Sequence, residues 1–122
     1  MKRSELARYL DHTQLKPDAQ PHQIETLCEE AKKHTMASVC VNPSYVSLAV
    51  EALSDTDVDV CTVIGFPLGA TSTAAKVCEA QIAMAEGATE LDMVMAIGLL
   101  KGGELDAVRD RKSTRLNSSH YS

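Results

Sequence analysis

Two hydrophobic rhythms alternate along the chain. Short, nearly unbroken apolar runs of strand type recur, and each is followed by apolar residues three and four positions apart, the spacing of one helix face. A polar helical opening around Ser4 to Tyr9 leads into Leu10-Asp11-His12-Thr13-Gln14-Leu15, read as a first strand that stops at Lys16-Pro17-Asp18. Pro21 suits the first helical position, with Gln20 as a weak cap, and Ile24, Leu27, Cys28 and Ala31 form an apolar stripe. Ala37 to Val41 is a second strand, closed by Asn42-Pro43-Ser44, and Val46, Ala49, Val50 and Leu53 return to helical spacing. Val58 to Ile64 is the most β-branched run, ending in the loop Gly65-Phe66-Pro67-Leu68-Gly69. Thr71, Ser72 or Thr73 then caps a helix whose stripe is read as Ala74, Cys78, Ile82 and Ala85, with Gly87 as its left-handed terminator. The fourth strand lies in Glu90 to Gly98; Leu99 to Gly103 breaks it, and Glu104 to Val108 begins another helical pattern.

Strand starts are therefore about 20–30 residues apart with a helix between each pair, the signature of βαβ units in a parallel sheet covered on both faces. An open flavodoxin-like sheet and a (β/α)8 barrel share it. A barrel needs at least about 200 residues, so four units would be half of one. In either fold, ligands bind at the carboxyl ends of the strands, which draws Asp11, Cys40, Asn42, Gly65 to Gly69 and Asp92 toward one mouth.

Composition narrows the class. The chain has 122 residues, 44% apolar and 24% charged, with 3% aromatics and no Trp, so one soluble domain with an aliphatic core is expected. No stretch is long enough to span a membrane and the start lacks an apolar signal region, which makes a cytoplasmic protein the expectation. The net charge of −5 argues against a nucleic-acid partner. Residues 111–122 hold Arg111, Lys112 and Arg115 and no acidic residue, so the first 110 carry 9 basic against 17 acidic residues. Cys28, Cys40, Cys61 and Cys78 form no C-x-x-C and each sits in an apolar pattern, the picture of buried reduced thiols.

Asp92 is the chemical oddity. A carboxylate among Leu91, Met93, Val94 and Met95 needs either a hydrogen-bond partner or a task, and desolvation would tune it for proton transfer. Asp11 is a candidate partner for Asp92, or an acceptor from Thr13 and His12. Asp11 and His12 without a third ligand are weak evidence for metal. The glycine loop matches no phosphate-binding fingerprint and reads as a β-to-α turn. Cys40 has no visible base beside it and reads as a small buried hydrophobe. Schiff-base chemistry needs a desolvated amine, and all seven lysines fall in predicted helices, turns or tails.

Four blocks in order carry a resemblance: Leu10 to Pro17, Ala37 to Pro43, Val63 to Gly69 and Gly87 to Val94. Together, from about Leu6 to about Asp110, the sequence resembles deoxyribose-phosphate aldolases. The resemblance implies a (β/α)8 TIM barrel of which only the first four βα units are present. It also implies a class I aldolase converting 2-deoxy-D-ribose 5-phosphate into D-glyceraldehyde 3-phosphate and acetaldehyde in deoxynucleoside catabolism. Asp92 would move the proton with a lysine relay, Asp11 and Thr13 would line the sugar pocket, and Cys40 would sit near the reacting centre. No metal or cofactor is implied, since the iminium is the electron sink; the partner is a small phosphorylated sugar, and a homo-oligomer is compatible. The family's Schiff-base lysine, second catalytic lysine and phosphate loops belong to later strands, so this polypeptide is expected to be inactive. Residues 1–110 are read as the N-terminal half barrel. Residues 111–122, basic and Ser-rich without an apolar stripe, are read as a non-native or disordered tail that looks like translated adapter sequence. The alternative reading is a non-catalytic flavodoxin-like binding or regulatory module.

Overall fold

A computed structural model describes residues 2 to 98. The predicted break at Leu99 to Gly103, the helical pattern at Glu104 to Val108 and the tail at 111–122 lie outside the described residues. Helix α1 (Arg3–Ala7) precedes strand β1 (Asp11–Gln14), after which α2 (Pro21–His34), β2 (Ser38–Val41), α3 (Val46–Ala52), β3 (Asp59–Ile64), α4 (Thr73–Ala85) and β4 (Glu90–Met93) alternate. A single 3₁₀ turn, Pro43–Tyr45, bridges β2 to α3.

The sheet order is β1-β2-β3-β4 and every pair is parallel. This order separates the two candidate architectures. A flavodoxin-like sheet is wound 2-1-3-4-5, whereas sequential neighbours in chain order are the barrel arrangement. The open-sheet alternative is thereby set aside.

Two faces of the sheet carry different contents. Val39, Val41, Val60, Ile64, Leu91 and Met93 point into one core with Ile24, Leu27, Cys28 and Ala31 of α2, Val46 and Ala49 of α3, and Ala80 and Ala83 of α4. Helices α2, α3 and α4 thus lie on one side. By strand alternation the other side takes Asp11 and Thr13, Ser38 and Cys40, Asp59, Cys61 and Val63, and Glu90 and Asp92. Here, among the described residues, Cys40, Cys61 and Val63 form a small apolar buried cluster, with Leu15 against it. The face that would be a barrel's interior is short, polar and rich in carboxylates.

Helix α2 buries the residues its periodicity predicts, and Gln23 Oε1 accepts from the Gln20 backbone N–H at 2.7 Å to close its first turn. Helix α4 does not follow the prediction. Its buried residues are Lys76, Ala80 and Ala83, while Ile82 is 54% exposed and Cys78 lies at the surface. The small alanines let the helix approach the sheet closely, and the long aliphatic stem of a lysine fills space as a hydrophobe does. Ser72 is the cap among the three candidates, its Oγ accepting from Ala75 N at 3.1 Å. Gly87 terminates the turn at φ +110° as expected. Among the described residues no helix is long and apolar enough to cross a membrane.

Candidate functional site

Three adjacent strands deliver a compact cluster to the polar face. The Cys40 Sγ on β2, the Cys61 Sγ on β3 and an Asp92 carboxylate oxygen on β4 all lie within 4.8 Å of one another. Cys40 and Cys61 are Cα partners across β2 and β3, so alternation aims both thiols the same way. Both are buried, at 6% and 4% exposure, and Asp92 is half-buried. Burial sits well with the sequence reading of Cys40. Its proximity to Cys61 was not legible, because two runs 21 positions apart reveal no register.

The Cys61 thiol is held well above the ordinary thiol range. Its hydrogen bond with the Cys40 thiol is the largest cause, burial the next, and the charges of Cys40, Asp92 and Glu90 add to it. The Cys61 thiol also lies 3.7 Å from the Thr62 carbonyl, which can accept from it. Cys28 is raised chiefly by burial, on the opposite face among the helices. Neither is a ready thiolate nucleophile.

Asp11 opens β1 and is exposed, and the Ser38 hydroxyl donates to its Oδ1 at 2.6 Å. The expected acceptance from Thr13 or His12 is replaced by this cross-strand bond. His12 turns to the other face, its Nε2 3.4 Å from Glu30 Oε1 on α2. Thr13 stands opposite Cys40 in the β1–β2 register and is exposed. Asp11 and Asp92 share the polar face, with Asp11 outside the thiol–carboxylate cluster.

The loop after β3 behaves as a turn. Gly65 N–H donates to Glu79 Oε1 at 2.7 Å and Gly69 N–H to the Gly65 carbonyl at 2.6 Å, so both donors are committed within the protein. The Phe66–Pro67 bond is cis. Beneath the loop runs Lys76, 1% exposed, whose ammonium donates to the Val94 carbonyl at 2.6 Å. Sequence reasoning found no desolvated amine because it looked on strands. Lys76 reaches the end of β4 from a helix, and its spacing to Ala80 and Ala83 was the available signal. The four strands themselves contain no lysine. A hollow of about 700 Å³ opens between α1 and α2 beside Leu6, Leu10 and Met36; none of Asp11, Thr13, Cys40 or Asp92 lines it.

The family model for DeoC/LacD family aldolases matches residues 6–111. The chain belongs to this aldolase family. A deoxyribose-phosphate aldolase of Clostridium botulinum is 58% identical over 105 residues, covering 86% of this chain and 50% of that protein. The enzyme of that name from Bdellovibrio bacteriovorus is likewise 58% identical, over 87% of this chain and 48% of its own length. Among solved structures, a protein of Coccidioides immitis assigned as a deoxyribose-phosphate aldolase superposes with a TM-score of 0.89 at 45% identity, over 93% of this chain and 45% of that one. QR15, an aldolase, gives 0.86 at 34% identity over 95% and 53%, and the tetrameric deoxyribose phosphate aldolase of Aeropyrum pernix gives 0.79 at 29% over 98% and 53%. The DeoC/LacD chain described here spans about half the length of the curated relatives it matches. The fold of its described residues, four parallel strands in chain order with a helix between each pair, is that of about half of the (β/α)8 aldolase barrel.

Proposed function

We propose that residues 1–110 are the first four βα units of a deoxyribose-phosphate aldolase and that Asp92 is its proton carrier. The observation that supports the reading most is the placement of Asp92. It is a half-buried carboxylate on the polar face of β4, against two buried thiols, in a family of aldolases. A five-carbon sugar phosphate that yields acetaldehyde and a three-carbon aldehyde must break C2–C3. The electron pair moves toward an iminium at C1, and the C3 hydroxyl loses its proton as its carbon becomes the new aldehyde. A carboxylate in a low-dielectric site takes that proton and returns one in the reverse direction. Asp11, oriented by Ser38, and Thr13 would receive the sugar hydroxyls, while Cys40 shapes the wall near the reacting carbon.

The amine for the iminium is assigned to the part of the barrel beyond these four units. The polypeptide of residues 1–122 is accordingly inactive by itself. Borohydride reduction in the presence of acetaldehyde, followed by mass analysis, tests this. We expect no stoichiometric lysine adduct on this chain. A single stoichiometric adduct, on Lys76 or any other lysine, would overturn the inactivity assignment.

A further inference from the structure

The thiol–thiol–carboxylate cluster has a property that aldol chemistry does not use. Two cysteine sulfurs and a carboxylate oxygen within 4.8 Å of one another make a three-ligand set from three neighbouring strands. Zinc–sulfur bonds of about 2.3 Å and zinc–oxygen bonds of about 2.0–2.2 Å place tetrahedral ligands about 3.5–3.8 Å apart. The cluster therefore has to close by at most about 1 Å around an ion, a movement within reach of small χ1 adjustments. Mixed sulfur and oxygen ligands at tetrahedral spacing favour a soft divalent ion over magnesium or calcium, which take oxygen alone.

We propose that Cys40, Cys61 and Asp92 bind one thiophilic divalent cation of the zinc class, with the fourth position left to water. The ion is a ligand of the site and takes no part in aldol chemistry. On binding, each thiol loses its S–H proton to solvent and donates a sulfur lone pair to the metal, so two protons leave per ion and no oxidant is involved. Cys28 belongs to the helix-side core and Cys78 to the surface of α4, and neither joins the set. Occupation would tie up Asp92. That consequence rests on the aldolase reading; the binding itself does not.

Cadmium ion, a spectroscopically visible substitute for zinc, provides the test on this chain carrying Cys78→Ser to remove the surface thiol. Thiolate-to-cadmium charge-transfer absorbance should saturate at one ion per chain, with two protons released per ion in weakly buffered solution. Cys40→Ser and Cys61→Ser should each lower the charge-transfer intensity by about half and weaken binding at least tenfold. Asp92→Asn should keep the full intensity and weaken binding. Circular dichroism of each variant, with Cys40→Ala and Cys61→Ala as a second pair, separates lost ligands from lost folding. Absence of a one-to-one saturable signal in the folded Cys78→Ser chain would overturn the proposal. So would binding that both serine variants leave unchanged.

Discussion

At the residue scale, Ser38 is a side chain whose place was not legible and whose effect can be measured. It is 1% exposed and donates to Asp11 across the β1–β2 pair. A hydroxyl buried without its acceptor is costly, and a bond to a carboxylate exceeds a neutral one, although exposure of Asp11 weakens this one. A double-mutant cycle of Ser38→Ala with Asp11→Asn should give a coupling of about 1 kcal/mol in urea melts, and additive effects would show that the bond is not made. Asp11 itself stood out in the sequence because a carboxylate in a short strand is conspicuous. Its partner did not, since a serine beginning a strand is ordinary and only the register joins positions 11 and 38.

At the scale of elements, legibility followed how each element is covered. Helix α2 lies on the sheet with a conventional stripe, and Ile24, Leu27, Cys28 and Ala31 were recognisable as its buried face. In α4 hydrophobicity pointed the wrong way, toward Cys78 and Ile82, because the contact is made by alanines and a lysine stem. Strand β4 is shorter than its apolar run, ending at Met93, and the Val94 amide still bonds the Ile64 carbonyl. What holds that end is the β3–α4 loop. Gly69 sits at φ +66°, and a Cβ there would meet the Met95 carbonyl oxygen and approach that of Val94 at 2.8 Å. Gly69→Ala should therefore cost about 2–5 kcal/mol, from a left-handed backbone combined with overpacking. A melt within error of the parent chain would show that the loop does not clamp β4. The effect should spread to the Asp92 strand, because Lys76 grips Val94 beside the same loop.

At the scale of the whole molecule, the parallel order of the four described strands and the segregation of the helices between them to one face make these elements part of a barrel. The alternation of runs in the sequence was enough to predict parallel βαβ units, but strand order decides between closed and open sheets, and order is a long-range property. Among the described residues β1 and β4 each have one strand neighbour, and Leu6, Tyr9, Leu10, Phe66, Leu68 and Ile97 are exposed. Such edges and patches template association. Size-exclusion chromatography of residues 1–122 should show concentration-dependent self-association, and a sharp monomeric peak with a cooperative melt at all concentrations would contradict the half-barrel account. Two copies are poorly suited to closing one barrel together. Each would bring Asp11, Asp59, Glu90 and Asp92 to the shared interior, where like charges repel. A partner half that supplies amines is electrostatically complementary.

That complementarity leads to the most direct test of the central assignment. This chain is combined with the C-terminal half of the Clostridium botulinum relative, and cleavage of 2-deoxy-D-ribose 5-phosphate is followed for the parent and for Asp92→Asn. The account predicts turnover in the combined parent protein, absent from either half alone, and a loss of about 10²–10⁴ in kcat for Asp92→Asn, the range lost when a positioned proton carrier is removed. Full turnover by the folded Asp92→Asn protein would contradict it.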